Sequence, residues 1–340
     1  MLNSLLQKQI PLIDVRAPIE YKKGALPMSI NLPILLDEER EQVGKIYKKL
    51  GPESATDLGF SIVSGNIKEK RVSKWLNFIN NNPSAQIYCA RGGQRSEIAQ
   101  AWIAEQGITI PKIDGGFKSL RNKCLQILDE AHLDKKKWIV IAGMTGTNKT
   151  GIISILKNGI DLEGLANHRG SAFGGFETPQ PTPINFENNL ACDYISINNK
   201  TVIFEDESRA IGRLVIPEKF YNRIISSDIV VIKESLEVRV DHIYKEYVRD
   251  ATINQSPDNL KNKLIGQLFK ISKRLGEENF KKIDQQIKIA FQKNTEESHF
   301  IWIKELLCNY YDKMYSYQLE KKNHRCIYEG GWKDVKEYLS

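Results

Sequence analysis

The stretch Trp138–Leu156, WIVIAGMTGTNKTGIISIL, constrains this chain more than any other. An apolar run from Trp138 to Ala142 enters a Gly-rich turn, and a helix is expected to open at Lys149 and Thr150. Strand, turn and helix in that order lay out a phosphate-binding loop, in which backbone N–H groups and a helix N-terminus cradle an anion while the lysine adds a point charge. Gly143, Thr145, Gly146, Thr147, Asn148, Lys149 and Thr150 are therefore the candidate phosphate ligands. The spacing G-x-x-x-x-(G)-K-T holds from Gly143 to Thr150, except that Asn148 stands where the second glycine belongs. A position needing positive φ accepts Asn next most readily after Gly. The competing reading is an ordinary strand-to-helix turn.

At 340 residues the chain is long enough for about two domains with separate cores. Its 41% hydrophobic and 27% charged residues are those of an ordinary soluble globular protein. No apolar run approaches the ~18 residues of a membrane span, and the N-terminus lacks a signal-peptide layout, so no membrane partner is expected. Lys plus Arg exceeds Asp plus Glu by 49 − 42 = 7. That excess permits a polyanionic partner such as RNA without requiring one. Five cysteines (89, 124, 192, 308 and 326) form no C-x-x-C pair, which argues against a disulfide framework or a zinc site and for a reducing cytoplasm.

In the first half, PLIDVR (11–16) reads as a short buried strand. Val43, Ile46, Tyr47 and Leu50 recur at helical spacing behind a solvated DEER first turn. A further helix is expected over Arg71–Ile79. The most chemical-looking stretch is QIYCARGGQRSEIAQAWIAEQG, with a strand at Gln86–Tyr88, a helix over Ser96–Gln106 and Gly107 at its C′ position. Between them Cys89 begins a loop that returns to Arg95 and contains Arg91, Gly92 and Gly93. A thiol facing converging backbone amides and two guanidinium groups has a lowered pKa. The same amides bind an oxyanion or an anionic substituent on sulfur. The bland alternative is a small buried hydrophobe at a strand end.

In the second half, DLEGLANHRGSAFGGFETPQPTP is too long and Gly/Pro-rich to be one element, and Asp161, His168, Arg169 and Ser171 within it are candidate phosphate or substrate contacts. Thr201–Glu205 reads as a strand with EDESRAIG at its carboxyl end, where ligands bind in doubly wound sheets. Glu205 or Asp206 is placed to hold Mg²⁺, and Arg209 to clamp an anion. Ser227–Lys233 reads as another core strand, followed by a helix. From about Ser256 the pattern is helical, with lysines interleaved among Phe, Tyr and Trp. An RNA-facing surface and a plain amphipathic bundle predict that pattern equally. His324 and Cys326 are too isolated to suggest a metal.

Cys-x5-Arg-Ser fits both cysteine-dependent phosphatases and rhodanese-like sulfurtransferases. DVRAPIEYKKGALPMSINLP resembles the rhodanese opening motif, with Ala25 for the usual His and Met28 for a Gly, and IDGGF (113–117) resembles the closing motif. Tyr88 stands where many such phosphatases have His. The fold expected is α/β: a rhodanese-like parallel-sheet domain over 1–130, then a P-loop NTPase-like domain over 138–340 whose C-terminal region, from about 256, is helical. NLPILLDEEREQVGKIYKKLG, YCARGGQRS, GMTGTNKT, DLEGLANHRGSAFG, EDESRAIG and YYDKMYSYQLEKK resemble, in the same order, blocks of the bacterial tRNA 2-selenouridine synthase family.

That resemblance implies a cytoplasmic transferase acting on wobble 2-thiouridine in the anticodon loop of Lys, Glu and Gln tRNAs. Geranyl diphosphate would S-geranylate the base, and selenophosphate, from a selenophosphate-producing enzyme as partner, would then replace the geranylthio group by selenium. Lys149, Thr150 and the loop amides would hold the diphosphate, with Arg209 and Mg²⁺ on Glu205 or Asp206. Cys89 would be the chalcogen carrier or nucleophile, with Arg91 and Arg95 stabilising its anion or binding selenophosphate. Two other readings stand beside this one. A cysteine phosphatase fused to a kinase-like or NTPase domain predicts hydrolysis at Cys89 and ATP turnover at Lys149. A non-enzymatic RNA-binding protein predicts salt-dependent tRNA binding that is indifferent to Cys89.

Overall fold

The structure, a computed structural model, describes residues 2–176, 178–253 and 255–340. The chain divides into two compact units: Met1–Ala131 with Pro181–Ile197, and His132–Gln180 with Asn198–Ser340.

The first unit is built on a parallel sheet of three short strands, β1 (Leu12–Asp14), β2 (Ser29–Asn31) and β3 (Gln86–Tyr88), in the order β2-β1-β3. All three residues of β1 are buried, as a central parallel strand covered on both faces requires. Helices over 37–50, 52–62, 65–81 and 94–104 surround the sheet. Trp75 and Trp102 stack at 6.2 Å in a core shared with Ile13, Ile87, Ala99 and Ile103. The expected 71–79 helix is longer at both ends, and the Pro52–Ile62 helix has no counterpart in the sequence reading.

A later part of the chain completes this unit. The Pro183–Ser196 helix packs on the Gly116–Glu130 helix, burying Leu190, Ala191 and Cys192 completely. Several of its polar side chains find partners within the same unit. Asn188 donates to the Ala25 carbonyl at 2.8 Å and accepts from Arg121 at 2.9 Å. The second-domain span expected from the sequence, 138–340, includes this segment, whereas its packing places it in the first unit.

The second unit holds a five-stranded, all-parallel sheet. Its strands are β4 (Lys137–Gly143), β5 (Gly159–Ile160), β6 (Thr201–Glu205), β9 (Asp228–Ile232) and β10 (Cys326–Gly330), in the order β10-β9-β4-β6-β5. A two-stranded antiparallel ribbon, β7 (Ala210–Ile211) and β8 (Leu214–Val215), follows β6. Chain order against sheet order puts the phosphate-loop strand β4 at the centre, with the carboxyl ends of β4 and β6 side by side. Helices over 257–275, 277–293, 296–306 and 312–322 close a separate apolar core around Leu264, Leu268, Ile287, Trp302 and Ile303.

The C-terminal region is not helical throughout. Residues 326–330 form edge strand β10 on β9, and the Trp332–Leu339 helix buries Val335 against the sheet core. Among the described residues no helix is long and apolar enough to cross a membrane.

Candidate active sites, one in each unit

In the first unit, β3 delivers Cys89 to the mouth of a loop that ends in the Gln94–Ala104 helix. The loop is clamped from behind by the turn of the IDGGF motif. The Phe117 amide donates to the Cys89 carbonyl at 2.8 Å, and the Lys118 amide to that of Ala90 at 3.1 Å. Gly92 and Gly116 lie at φ +66° and +54°, and each packs on the other's backbone. A Cβ on Gly92 would stand 2.5 Å from the Ile113 carbonyl, so the loop closes only with glycine at that contact.

The Cys89 thiol is buried, which by itself pushes its pKa up. That effect is more than offset by the Ser96 hydroxyl donating to Sγ at 3.3 Å, by the Arg91 and Ser96 amides and by the Arg95 charge. The net pKa lies below that of an ordinary cysteine, so the thiolate is more accessible than in an unperturbed thiol. Arg95 leans on Glu20 at 2.5 and 3.1 Å, while Arg91 is exposed on the loop. Tyr88 is buried and donates to Ser29 Oγ at 2.9 Å, a structural role.

A buried ion pair steadies the same loop. Arg16 Nη2 meets Asp14 Oδ2 at 2.6 Å and the Gly24 carbonyl at 2.8 Å, and its guanidinium lies 3.8 Å from the centroid of the Phe117 ring. The Asp14 and Arg16 of the DVR motif are thus framework for the closing motif.

In the second unit, β4 ends at Gly143 and the chain turns through Met144–Asn148 into a short helix, Lys149–Ile153. Gly146 has φ +88° and Asn148 has φ +58°, ψ +46°, the left-handed conformation expected of the residue in the second glycine's place. Asn148 adds what glycine cannot: its Oδ1 accepts from the Gly151 amide at 3.1 Å, capping the helix. Trp332 Nε1 donates to the Asn148 carbonyl at 2.9 Å, so the C-terminal helix props the loop from behind.

The loop faces a cavity of about 510 Å³ lined by Thr145, Gly146, Asn148, Lys149, Thr150 and Arg169, among others. Lys149 Nζ donates to the Gly143 carbonyl at 3.1 Å. Gly143 and Thr147 shape the turn from within, the Thr147 hydroxyl donating to the Met144 carbonyl at 2.9 Å. Arg169 binds Glu246 at 2.6 Å and stacks on Phe176 and Tyr247. Arg209 is not among the lining residues of this cavity; its Nε donates to the Ile216 carbonyl and its Nη2 lies 3.5 Å from Glu218. Asp161 caps the Leu162–Ala166 helix and Ser171 lines the cavity, while Nδ1 of His168 is buried with no hydrogen-bond partner among the described residues.

The acidic group differs from the one expected. Glu205 is fully buried at the end of β6, accepting from Thr150 Oγ1 at 3.0 Å and from the Glu163 amide at 2.9 Å. Its companions are Glu163 and Glu207, whose carboxylate oxygens lie with its own within 4.8 Å of one another. Asp206 is turned away, bound by Lys322 Nζ at 2.6 and 2.7 Å. Successive residues leaving a strand point to opposite sides, so Glu205 and Glu207 share a face that Asp206 cannot. That period of two within EDE was the signal that identifies Glu207. Glu163, forty-two residues earlier, had no such signal. Burial pushes Glu205 far above the carboxylate range, with the charges of Glu163, Asp161 and Glu207 adding. Burial and then Glu163 push Glu207 up to about 8. Three crowded carboxylates beside a phosphate loop are a hard-oxygen donor set that fits Mg²⁺. The π-helical turn Lys245–Arg249 brings Lys245 and Arg249 to the cavity, and His242, from the preceding Leu236–Tyr244 helix, lines it beside them.

Fold and site together define a two-centre protein, a rhodanese-like thiolate loop and a P-loop α/β unit on one chain. Residues 1–123 match the rhodanese-like domain, and residues 136–340 match the AAA domain of tRNA 2-selenouridine synthase. The tRNA 2-selenouridine synthase of Shewanella sp. (strain ANA-3) is 40% identical over 97% of this chain and 94% of its own length. That of Psychromonas ingrahamii is 41% identical over 99% and 96%, and that of Shewanella sediminis 41% over 97% and 93%. The chain belongs to the tRNA 2-selenouridine synthase family.

Proposed function

We propose that this protein is a transferase that converts wobble 2-thiouridine of tRNA to 2-selenouridine in two steps, through an S-geranylated base. Family membership makes it a tRNA-modifying enzyme of the selenouridine type. The observation that carries the two-step reading is the presence of two chemically distinct centres, an activated thiol and a phosphate loop beside an acidic group.

At the phosphate loop the co-substrate is geranyl diphosphate. The thione sulfur attacks C1 of the geranyl group, the C–O bond breaks, diphosphate leaves and the base loses its N3 proton. Lys149, Thr150 and the loop amides neutralise the charge that develops on the departing diphosphate. Mg²⁺, held by Glu205 and Glu207 with Glu163 beside them, would supply further charge neutralisation there.

At the thiolate loop the co-substrate is selenophosphate, whose selenium already stands at the selenide level. Carrying it as a persulfide-like adduct on Cys89 would demand two electrons on delivery, so Cys89 acts instead as a nucleophile. Its thiolate attacks C2 of the S-geranylated base, and geranylthiolate leaves and takes a proton. Selenium of selenophosphate then displaces Cys89 from C2, and water hydrolyses the P–Se bond to phosphate and selenouridine. Arg91, exposed on the loop, and Arg95 supply positive charge for the anionic selenophosphate.

The substrates are wobble bases of the Lys, Glu and Gln tRNAs. Anticodon-loop bases need no duplex melting to be splayed into a site. The test is nucleoside mass spectrometry on 2-thiouridine tRNA incubated with the protein, geranyl diphosphate and selenophosphate. The geranylated mass followed by the selenium isotope pattern is the expected result. Unchanged tRNA, with protein and tRNA intact, overturns the proposal and turns attention to phosphatase and ATPase activity.

A further inference from the structure

The Asp37–Leu50 helix carries an apolar stripe that the first unit's core uses only in part, through Val43. None of its residues is buried, and Tyr47 and Leu50 are 59% and 62% exposed. Val43 and Tyr47, one turn apart, instead form one wall of a half-open groove of about 100 Å³. Leu35, Phe60, Ile98 and Trp102 supply much of the rest, and its polar lining is confined to Thr56, Gln94 and Arg95. Gln94 and Arg95 are the first two residues of the helix that leaves the thiolate loop, and Ser96, next in line, is hydrogen-bonded to Cys89 Sγ. Arg95 also helps to hold the Cys89 pKa down. The groove is therefore largely apolar, and two of its three polar lining residues open the helix whose Ser96 reaches the nucleophile.

Such a site suits an amphiphile whose reacting head lies at the thiolate and whose narrow apolar tail runs away from it. We infer that the groove seats the geranyl chain of the S-geranylated uridine while its C2 stands at Cys89. This rests on the two-step reading above, in which the C2–S(geranyl) bond breaks as the C2–S(Cys89) bond forms and geranylthiolate leaves with a proton. The groove then acts twice: it aligns C2 for attack, and it holds the apolar leaving group out of water. Its small volume, about 100 Å³, suits a single hydrocarbon chain; an amphipathic partner helix would need a row of pockets for successive anchors. Unmodified 2-thiouridine has no tail to fill it, so the groove also distinguishes the geranylated base from its precursor at the second centre.

The test uses the full-length protein, selenophosphate and anticodon stem-loop RNA carrying either S-methyl- or S-geranyl-2-thiouridine. The wild type is expected to prefer the geranyl over the methyl substrate in kcat/KM by on the order of a hundredfold, the factor that burying about four methylenes supports. Gly59 lies in the groove wall, and a Cβ there meets nothing nearer than Val43 Cγ2 at 4.0 Å. Gly59→Leu fills the groove and replaces glycine by a better helix former. It should cut the preference at least tenfold while leaving the methyl substrate's kcat/KM and the geranylation of 2-thiouridine RNA unchanged. Tyr47→Ala, at an exposed wall position, should raise KM for the geranyl substrate several-fold and leave the melting temperature alone. A full preference retained in a folded Gly59→Leu protein, or no chain preference in the wild type, overturns the inference alone. A wild type that yields neither product overturns the two-step reading, and this inference with it.

Discussion

Replacing Lys149 by alanine should separate the two centres. Most of the named cations around the phosphate-loop cavity are already engaged by carboxylates: Arg169 by Glu246 at 2.6 Å, Lys245 by Asp241 at 2.6 Å and Arg249 by Asp250 at 2.8 Å. Lys149 instead donates to a neutral carbonyl, that of Gly143, so its charge is available to a bound phosphate. It also stands against the Glu163 and Glu207 carboxylates, whose charges it partly offsets. Removing one preorganised donor to a developing anion costs about 3–4 kcal/mol, or ~10²–10³ in rate. With the neighbouring cations committed, the upper end of that range is expected here. The assay is single-turnover S-geranylation of 2-thiouridine RNA, run beside selenation of RNA that already carries the S-geranyl group. Lys149→Ala should slow the first about a thousandfold and leave the second within about twofold. Lys149→Arg should recover part of the loss, because a guanidinium keeps the charge but presents a wider, rigid fork. Equal loss in both reactions, or geranylation within threefold of the wild type, would refute the assignment of the diphosphate to this loop.

Other substitutions test the frame around each centre. Cys89→Ser should spare geranylation and abolish selenation, read by the same pair of assays. Ser96→Ala should raise the pH midpoint of Cys89 alkylation by iodoacetamide, because it removes the 3.3 Å hydrogen bond to Sγ. The sign follows from the lowered thiol pKa: the thiolate's contribution to stability is present above the ordinary thiol value and is lost as pH falls through the folded one. Asp14→Asn should destabilise the first unit by about 3–5 kcal/mol in urea unfolding, since it leaves the Arg16 charge buried without its partner. Asn148→Gly should keep the KM for geranyl diphosphate near that of the wild type. Asn148→Val, β-branched at φ +58°, should raise KM through about 1–3 kcal/mol of backbone strain.

What the sequence made legible was local chemistry on contiguous residues. The Cys89–Ser96 loop and the Gly143–Thr150 turn each announce themselves in a few consecutive positions, and even Asn148 could be assigned its left-handed backbone from residue type. What it hid was long-range. The Pro183–Ser196 helix reads as amphipathic whichever core it joins, and nothing local says that Asn188 will bond Ala25. Strand β10 is five residues with ordinary composition, at the edge of a sheet begun nearly two hundred positions earlier. The stripe on the 37–50 helix has the period of a core face, yet it borders a groove. Periodicity reports that one face of a helix is apolar; it is silent on what covers that face.

The return of residues 181–197 to the first unit has a consequence for synthesis. A nascent chain that has emerged only to Ala131 lacks the helix that packs on the Gly116–Glu130 helix, leaving Cys124 without its neighbour Cys192. The first unit is therefore completed only after the ribosome has made residue 197, by which time strand β4 and the phosphate loop have also been synthesised. A gene split at the linker would release a sticky, incompletely packed N-terminal fragment. The two units are thus tied into one polypeptide by the path of its backbone.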